Sequence, residues 1–223
     1  MAHTDECVCR VCQRCDEEPW VVRFEHIQRR VRCAHSLGES VWMATQILQR
    51  PDVLGALVEC GVYRGGMTAK WSWIAQRSKR LLWAYDSFRG LPPLATYARG
   101  AQQQDYRGKS YRASMWRVRY ALWRYGVPGR VTVVPGWFRQ TLAFLPDPIA
   151  FAFVDVDLAR SLEECLGALW PRMSPGGALF CHEARDPAMQ RVIEAQGLRE
   201  YGVGVGTGLG AERENLCVLW KPA

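Results

Sequence analysis

The spacing of apolar positions changes character along the chain. From Trp20 to Gln49 they recur at helical intervals (Val22, Phe24, Ile27 and Val31, then Val41, Ala44, Ile47 and Leu48), which predicts two helices. Beyond Pro51, short apolar runs bounded by turn residues alternate with helical stretches. Strands are predicted over 56–62, 81–85, 131–135, 149–154 and 178–181, and helices over 68–75, 115–125, 162–170 and 186–196. The residues 174–177 read as a turn, and 201–209 with 215–220 read as a closing antiparallel hairpin. This alternation predicts an α/β, Rossmann-like doubly wound, mostly parallel sheet with a helical N-terminal extension. In such sheets ligands collect at the carboxyl ends of the strands, where Asp86, Asp155 and the pair His182–Glu183 fall.

Length and composition narrow the picture. A chain of 223 residues, 48% hydrophobic and 23% charged, suits one globular domain with a short appendage. Residues 1–19 form a Cys-rich polar leader, and 20–223 form the domain. No apolar run approaches the ~20 residues of a membrane span. The first residues lack the apolar stretch of a secretory signal, so a cytoplasmic location is expected. The nine cysteines are then read as reduced thiols or metal ligands. Cys7, Cys9, Cys12 and Cys15 have metal-ligand spacing, and Cys33-x-His35 offers two further donors for a zinc site; a reduced leader binding nothing is the alternative. Cys33, Cys60, Cys165, Cys181 and Cys217 sit singly among apolar neighbours as core residues.

The net charge of +7 is unevenly placed. Between Arg89 and Arg130, eight Arg and Lys109 face Asp105 alone, leaving eight positive charges in that segment and a nearly neutral remainder. Guanidinium groups bind carboxylate and phosphate bidentately, so 89–130 is a candidate lid over an anionic small-molecule acceptor. A solvated helix face is the plainer alternative.

Two motifs carry the first chemistry. In Val58-Glu-Cys-Gly-Val-Tyr-Arg-Gly-Gly66, Gly61 and Gly65 allow the backbone to approach a ligand after a strand, though an unliganded tight turn has the same signature. Its glycine spacing is not that of dinucleotide binders. Asp86, in Tyr-Asp-Ser-Phe-Arg-Gly-Leu-Pro, ends the next strand and suits a ribose diol rather than a 2′-phosphate. The glycine series from Gly202 to Gly210 leads into a terminal strand, the wrong context for a nucleotide loop.

Taken in order, VECGVYRGG, YDSFRGLP, PGWFRQTL, VDVDLARS and MSPGG resemble the macrocin and mycinamicin sugar O-methyltransferases (the TylF and MycF type), a family of class I S-adenosylmethionine-dependent methyltransferases. The resemblance spans roughly Leu57 to Ala184. It implies a seven-stranded sheet, O-methylation of a hydroxyl on a sugar or polar natural product of antibiotic biosynthesis, and a homo-oligomer. It also implies S-adenosyl-L-methionine over Glu59, Gly61, Val62, Tyr63 and Gly65, with the ribose on Asp86. Ser87, Phe88, Gly136, Trp137, Phe138 and Asp155 would line the rest of the cofactor site. The Arg-rich segment, with Tyr97, Tyr106, Arg107, Tyr111, Arg112 and Trp116, would close over the acceptor.

The family holds a divalent metal with the first Asp of an Asp-x-Asp and a downstream acidic pair. Here those positions are Asp155 and His182–Glu183, so one acid is replaced by imidazole. Carboxylates suit Mg²⁺ and Mn²⁺, and imidazole tilts the set toward Mn²⁺, Fe²⁺ or Zn²⁺. Three alternatives stand beside this: His182 as a metal-free general base, a nucleic-acid methyltransferase with its Arg stripe on phosphates, and a non-catalytic cofactor-binding protein. Asp157 is expected to cap the following helix.

Overall fold

The computed structural model describes residues 19–92, 111–182, 186–198 and 216–222. Two helices open it, α1 (Pro19–Arg30) and α2 (Leu37–Leu48). Then follow β1 (Ala56–Cys60), α3 (Gly66–Arg77), β2 (Leu82–Asp86), α4 (Met115–Tyr125), β3 (Val131–Pro135), β4 (Ile149–Val154), α5 (Ala159–Leu169), β5 (Met173–Cys181), α6 (Pro187–Ala195) and β6 (Cys217–Trp220). The described strands form one six-stranded sheet in the order β3-β2-β1-β4-β5-β6, parallel except for β6, which runs antiparallel to β5. The first arm of the expected hairpin, 201–209, lies outside the described residues, as does the leader with Cys7, Cys9, Cys12 and Cys15.

Both faces of the sheet are covered, which is why β4 reads as an unbroken apolar run and is buried throughout. Phe24 of α1, Met43 and Ile47 of α2, and Trp71 and Ile74 of α3 pack on one face with Leu57, Phe151, Phe153 and Phe180. Leu162, Leu166 and Leu169 of α5, with Met189 and Ile193 of α6, cover the other with Val58, Val154 and Leu179. Cys60, Cys165, Cys181 and Cys217 are buried core residues as expected, while Cys33 is half-buried.

Chain order reverses between β1 and β4, and the crevice opens at their carboxyl ends. Gly61 makes this possible. Its φ is +95°, and a Cβ there would lie 1.8 Å from the Asp155 carbonyl oxygen, so only glycine lets the two strands stay adjacent to the mouth of the crevice.

Two sequence expectations are corrected. Residues 174–177 are not a turn between elements but the irregular start of β5. Ile149 pairs with Met173 and Phe151 with Ala178, so the Pro-Gly-Gly run is accommodated as a bulge inside the ladder. Asp157 does not cap α5. The N-cap position is Leu158, with no side-chain cap bond, and Asp157 instead turns into the cavity at φ +57°.

Candidate active site

The crevice holds a cavity of about 280 Å³. One side is built from the turns after β1, β2 and β3: Gly61, Tyr63, Asp86, Ser87, Gly136, Trp137 and Phe138 line it. The Asp86 carboxylate braces this side. Its Oδ2 accepts the backbone N–H groups of Val62 (2.8 Å) and Tyr63 (2.9 Å), and its Oδ1 accepts that of Phe88 (2.7 Å). Burial raises the Asp86 pKa although those three donors oppose it.

Several predicted cofactor residues stand elsewhere. Glu59 is fully buried and does not line the cavity. Strand alternation puts it on the same face as Leu57, beneath α2 and α3, and neither carboxyl oxygen has a hydrogen-bond partner. Burial pushes its pKa up to about 8. Val62 is buried, and Phe88 packs against the cluster of Val62, Ala84, Val118 and Leu122 rather than lining the cavity. Gly65 ends the first turn beneath Val118 of α4.

The opposite wall carries charge. Asp155, Asp157 and His182 follow β4 and β5 and line the cavity together. Behind them stand two residues that sequence reasoning did not place in this site. His35, in the α1–α2 connection, reaches Asp155 Oδ2 through Nε2 at 2.9 Å and is 5% exposed. Its Nδ1 lies 3.5 Å from Cys33 Sγ, and its ring stands edge-on to Phe153 and His182. Glu39 lies 3.6 Å from His182 Nε2, and His182 Nδ1 lies 3.4 Å from Asp155 Oδ1. Ser36 and Glu39 form a reciprocal capping box at the start of α2. The Ser36-x-x-Glu39 spacing is a capping-box signature that marks a helix start and carries no sign of the contact with His182.

These groups tune one another. Against its own burial, Asp155 is held well below the usual carboxylate range by His182 and His35. Burial would lower both imidazoles, but Asp155 and Cys33 raise His35 to about 10, and Asp155 and Glu39 raise His182 to about 9. Glu39 falls to about 2 because His182 and Ser36 outweigh its burial. One donor atom from each of His35, Asp155 and His182 lies within 4.8 Å of the other two. Two buried atoms of the cluster, His182 Nδ1 and Glu39 Oε1, make no hydrogen bond. That donor set and the orphaned His182 Nδ1 beside Asp155 fit a divalent cation. Glu183, the expected partner ligand, lies outside the described residues.

The lid residues separate. Tyr111 lines the cavity, its ring 5.9 Å from that of Tyr63. Trp116 does not: α4 turns Val118 and Leu122 inward, leaving Trp116 74% and Trp123 70% exposed on its outer face. Arg112 is exposed and does not line the cavity. Tyr97, Tyr106 and Arg107 lie outside the described residues.

A doubly wound sheet with its cavity at the reversal point, one side braced by an acid after β2 and the other charged after β4, defines the class of Rossmann-like methyltransferase folds. Within that class, residues 38–196 match the macrocin-O-methyltransferase (TylF) family, and the chain belongs to it. It is 31% identical over 161 residues to the 8-demethyl-8-(2,3-dimethoxy-alpha-L-rhamnosyl)-tetracenomycin-C 4'-O-methyltransferase of Streptomyces olivaceus, covering 68% of this chain and 60% of the relative. It is 35% identical over 134 residues to the demethyldecarbamoylnovobiocin O-methyltransferase of Streptomyces niveus, covering 56% and 51%. The chain thus spans less than two thirds of the length of either relative. The structure of the O-methyltransferase NovP superposes with a TM-score of 0.72 at 23% identity, covering 86% of this chain and 84% of that one. Among the described residues no helix is long and apolar enough to cross a membrane.

Proposed function

We propose that the chain is an S-adenosylmethionine-dependent O-methyltransferase acting on a sugar hydroxyl of an antibiotic-type natural product. The observation that carries this is a single cavity with two chemically different walls, Gly61, Asp86, Ser87 and Trp137 on one side and Asp155, Asp157 and His182 on the other. Family membership and the names of the two curated relatives support the O-methyl and sugar parts of the reading.

The cofactor would supply an electrophilic methyl group on a sulfonium. Asp86 is already fixed by three backbone donors, so the lone pair left on Oδ1 is oriented to accept from a ribose hydroxyl without further ordering. Trp137 and Phe138 offer apolar surface to the purine. Asp157 is the carboxylate that takes the acceptor's proton as the O–C bond forms and the C–S bond breaks. It lines the cavity in a left-handed conformation that costs a non-glycine residue roughly 1–3 kcal/mol, a strain typical of functional positions. His182 fits that role less well: with no ion bound the carboxylates on either side keep its proton at neutral pH, and as a ligand its lone pair would be committed to the ion. A divalent ion held by Asp155 and His182 would lower the acceptor hydroxyl's pKa and fix its position.

The test uses the full chain in two assays. Calorimetric titration with S-adenosylhomocysteine should give one binding site, weakened roughly tenfold or more in Asp86→Ala and less in Asp86→Asn, which keeps one acceptor oxygen. Transfer of radiolabelled methyl to rhamnosylated polyketide acceptors should follow. A well-folded wild type that binds no S-adenosylhomocysteine would overturn the proposal.

A further inference from the structure

We infer that His35 joins Asp155 and His182 in a two-imidazole, one-carboxylate site selective for a borderline transition-metal ion over Mg²⁺, with Cys33 as its outer partner. The inference rests on the metal part of the proposed function and goes beyond it, because it adds a ligand from the α1–α2 connection and narrows the class of ion.

Geometry comes first. His35 lies 120 residues from Asp155 in sequence, yet its Nε2 is at the carboxylate and one donor from each of the three residues falls within 4.8 Å of the others. The ring is held as a metal-ligating imidazole usually is, by a hydrogen-bond partner on its other nitrogen. Here that partner is Cys33 Sγ at 3.5 Å, itself 3.8 Å from the Lys70 ammonium. Lys70 is fully buried and anchored by Ser40 at 2.9 Å and by Gln28. Contact with Phe153, ring centroids 4.8 Å apart, fixes the imidazole from the other side.

The second line is polar satisfaction. His182 Nδ1 and Glu39 Oε1 are buried without a hydrogen bond, although a carboxylate oxygen or ring nitrogen lies within 3.6 Å of each. Buried orphans of this kind are rare and call for an explanation: a cation on the Asp155 side would use Nδ1 and leave Nε2–H facing Glu39.

The ligand types then select the ion. Mg²⁺ demands near-ideal octahedral oxygen and gives up water reluctantly, whereas two imidazoles and a carboxylate suit Mn²⁺, Fe²⁺, Co²⁺ or Zn²⁺. Asp155 and His182 both line the cavity, so an ion held by them would be reachable from the space an acceptor would occupy.

The test uses the full chain with Cys7, Cys9, Cys12 and Cys15 changed to Ser, so that leader thiolates do not compete. After chelator dialysis, Co²⁺ is titrated and followed by its visible ligand-field absorption, then challenged with Mg²⁺. One equivalent should bind and resist equimolar Mg²⁺. His35→Gln should weaken Co²⁺ roughly 10–100-fold, and His182→Asp should narrow the Co²⁺/Mg²⁺ gap. Titration with S-adenosylhomocysteine reports whether each variant is folded. Unchanged Co²⁺ affinity in His35→Gln, or displacement by equimolar Mg²⁺, overturns this inference and leaves metal-assisted methyl transfer standing. A folded parent that takes up neither ion overturns both.

Discussion

Glu59 shows how a single buried carboxyl sets a pH dependence. Burial is the leading cause of its rise to about 8, opposed by the nearby Thr68 hydroxyl and the positive charge of His35 and reinforced by Cys33 and Asp86. In the unfolded chain the same group ionises near 4.5. Between these two values the folded state holds a proton that the unfolded state has released, so this residue makes stability fall as pH rises. Its contribution is fully present below about 4.5 and gone above about 8. Glu59→Gln should therefore match wild type in acid and gain on it steadily toward pH 8, as read by urea denaturation at stepped pH. A Cm difference that does not change with pH would contradict this. Glu59 was expected at the cofactor because the family resemblance implied S-adenosyl-L-methionine over Glu59 to Gly65. That expectation did not weigh which way alternation would turn the side chain.

At the scale of elements, the start of α2 serves two purposes. Ser36 Oγ accepts the Glu39 N–H at 3.1 Å, and the Glu39 carboxylate accepts the Ser36 N–H at 2.8 Å while standing beside His182. Removing the cap should thus reach the cavity wall. Ser36→Ala is expected to cost about 1 kcal/mol of stability. It should also lower the pKa of His182, because a less anchored Glu39 supports the imidazolium less; titration of the histidine NMR signals would report it. A lost cap with an unmoved His182 would separate the two roles. The helices and strands themselves were legible from spacing, since 115–125, 131–135 and 149–154 coincide with α4, β3 and β4. What spacing left open was the helix surface. The outward Trp116, Tyr120 and Trp123 obey the same period as buried residues, and only the inward packing of Val118 and Leu122 decides which stripe faces the sheet.

For the molecule as a whole, the edge of the crevice was readable because strand ends in an alternating α/β chain announce themselves by polar residues. Asp86, Asp155 and His182 all fell at the predicted edge of the crevice. His35 was not readable there, because its partner is set by how α1 and α2 lie across the sheet, a packing outcome with no local signal. That long connection has a kinetic side. The residues around Asp155 come from segments 120 residues apart, and contacts so distant in sequence close late, after the chain has already met most of the loop-closure cost. Whatever bridges these groups therefore stabilises the finished molecule and not the ensemble that precedes it. In stopped-flow refolding, saturating Co²⁺ should leave the folding limb unchanged and slow the unfolding limb by the full factor that binding adds to stability. The polar cluster would then act as a latch on a completed fold, governing how long each molecule persists rather than how quickly it forms.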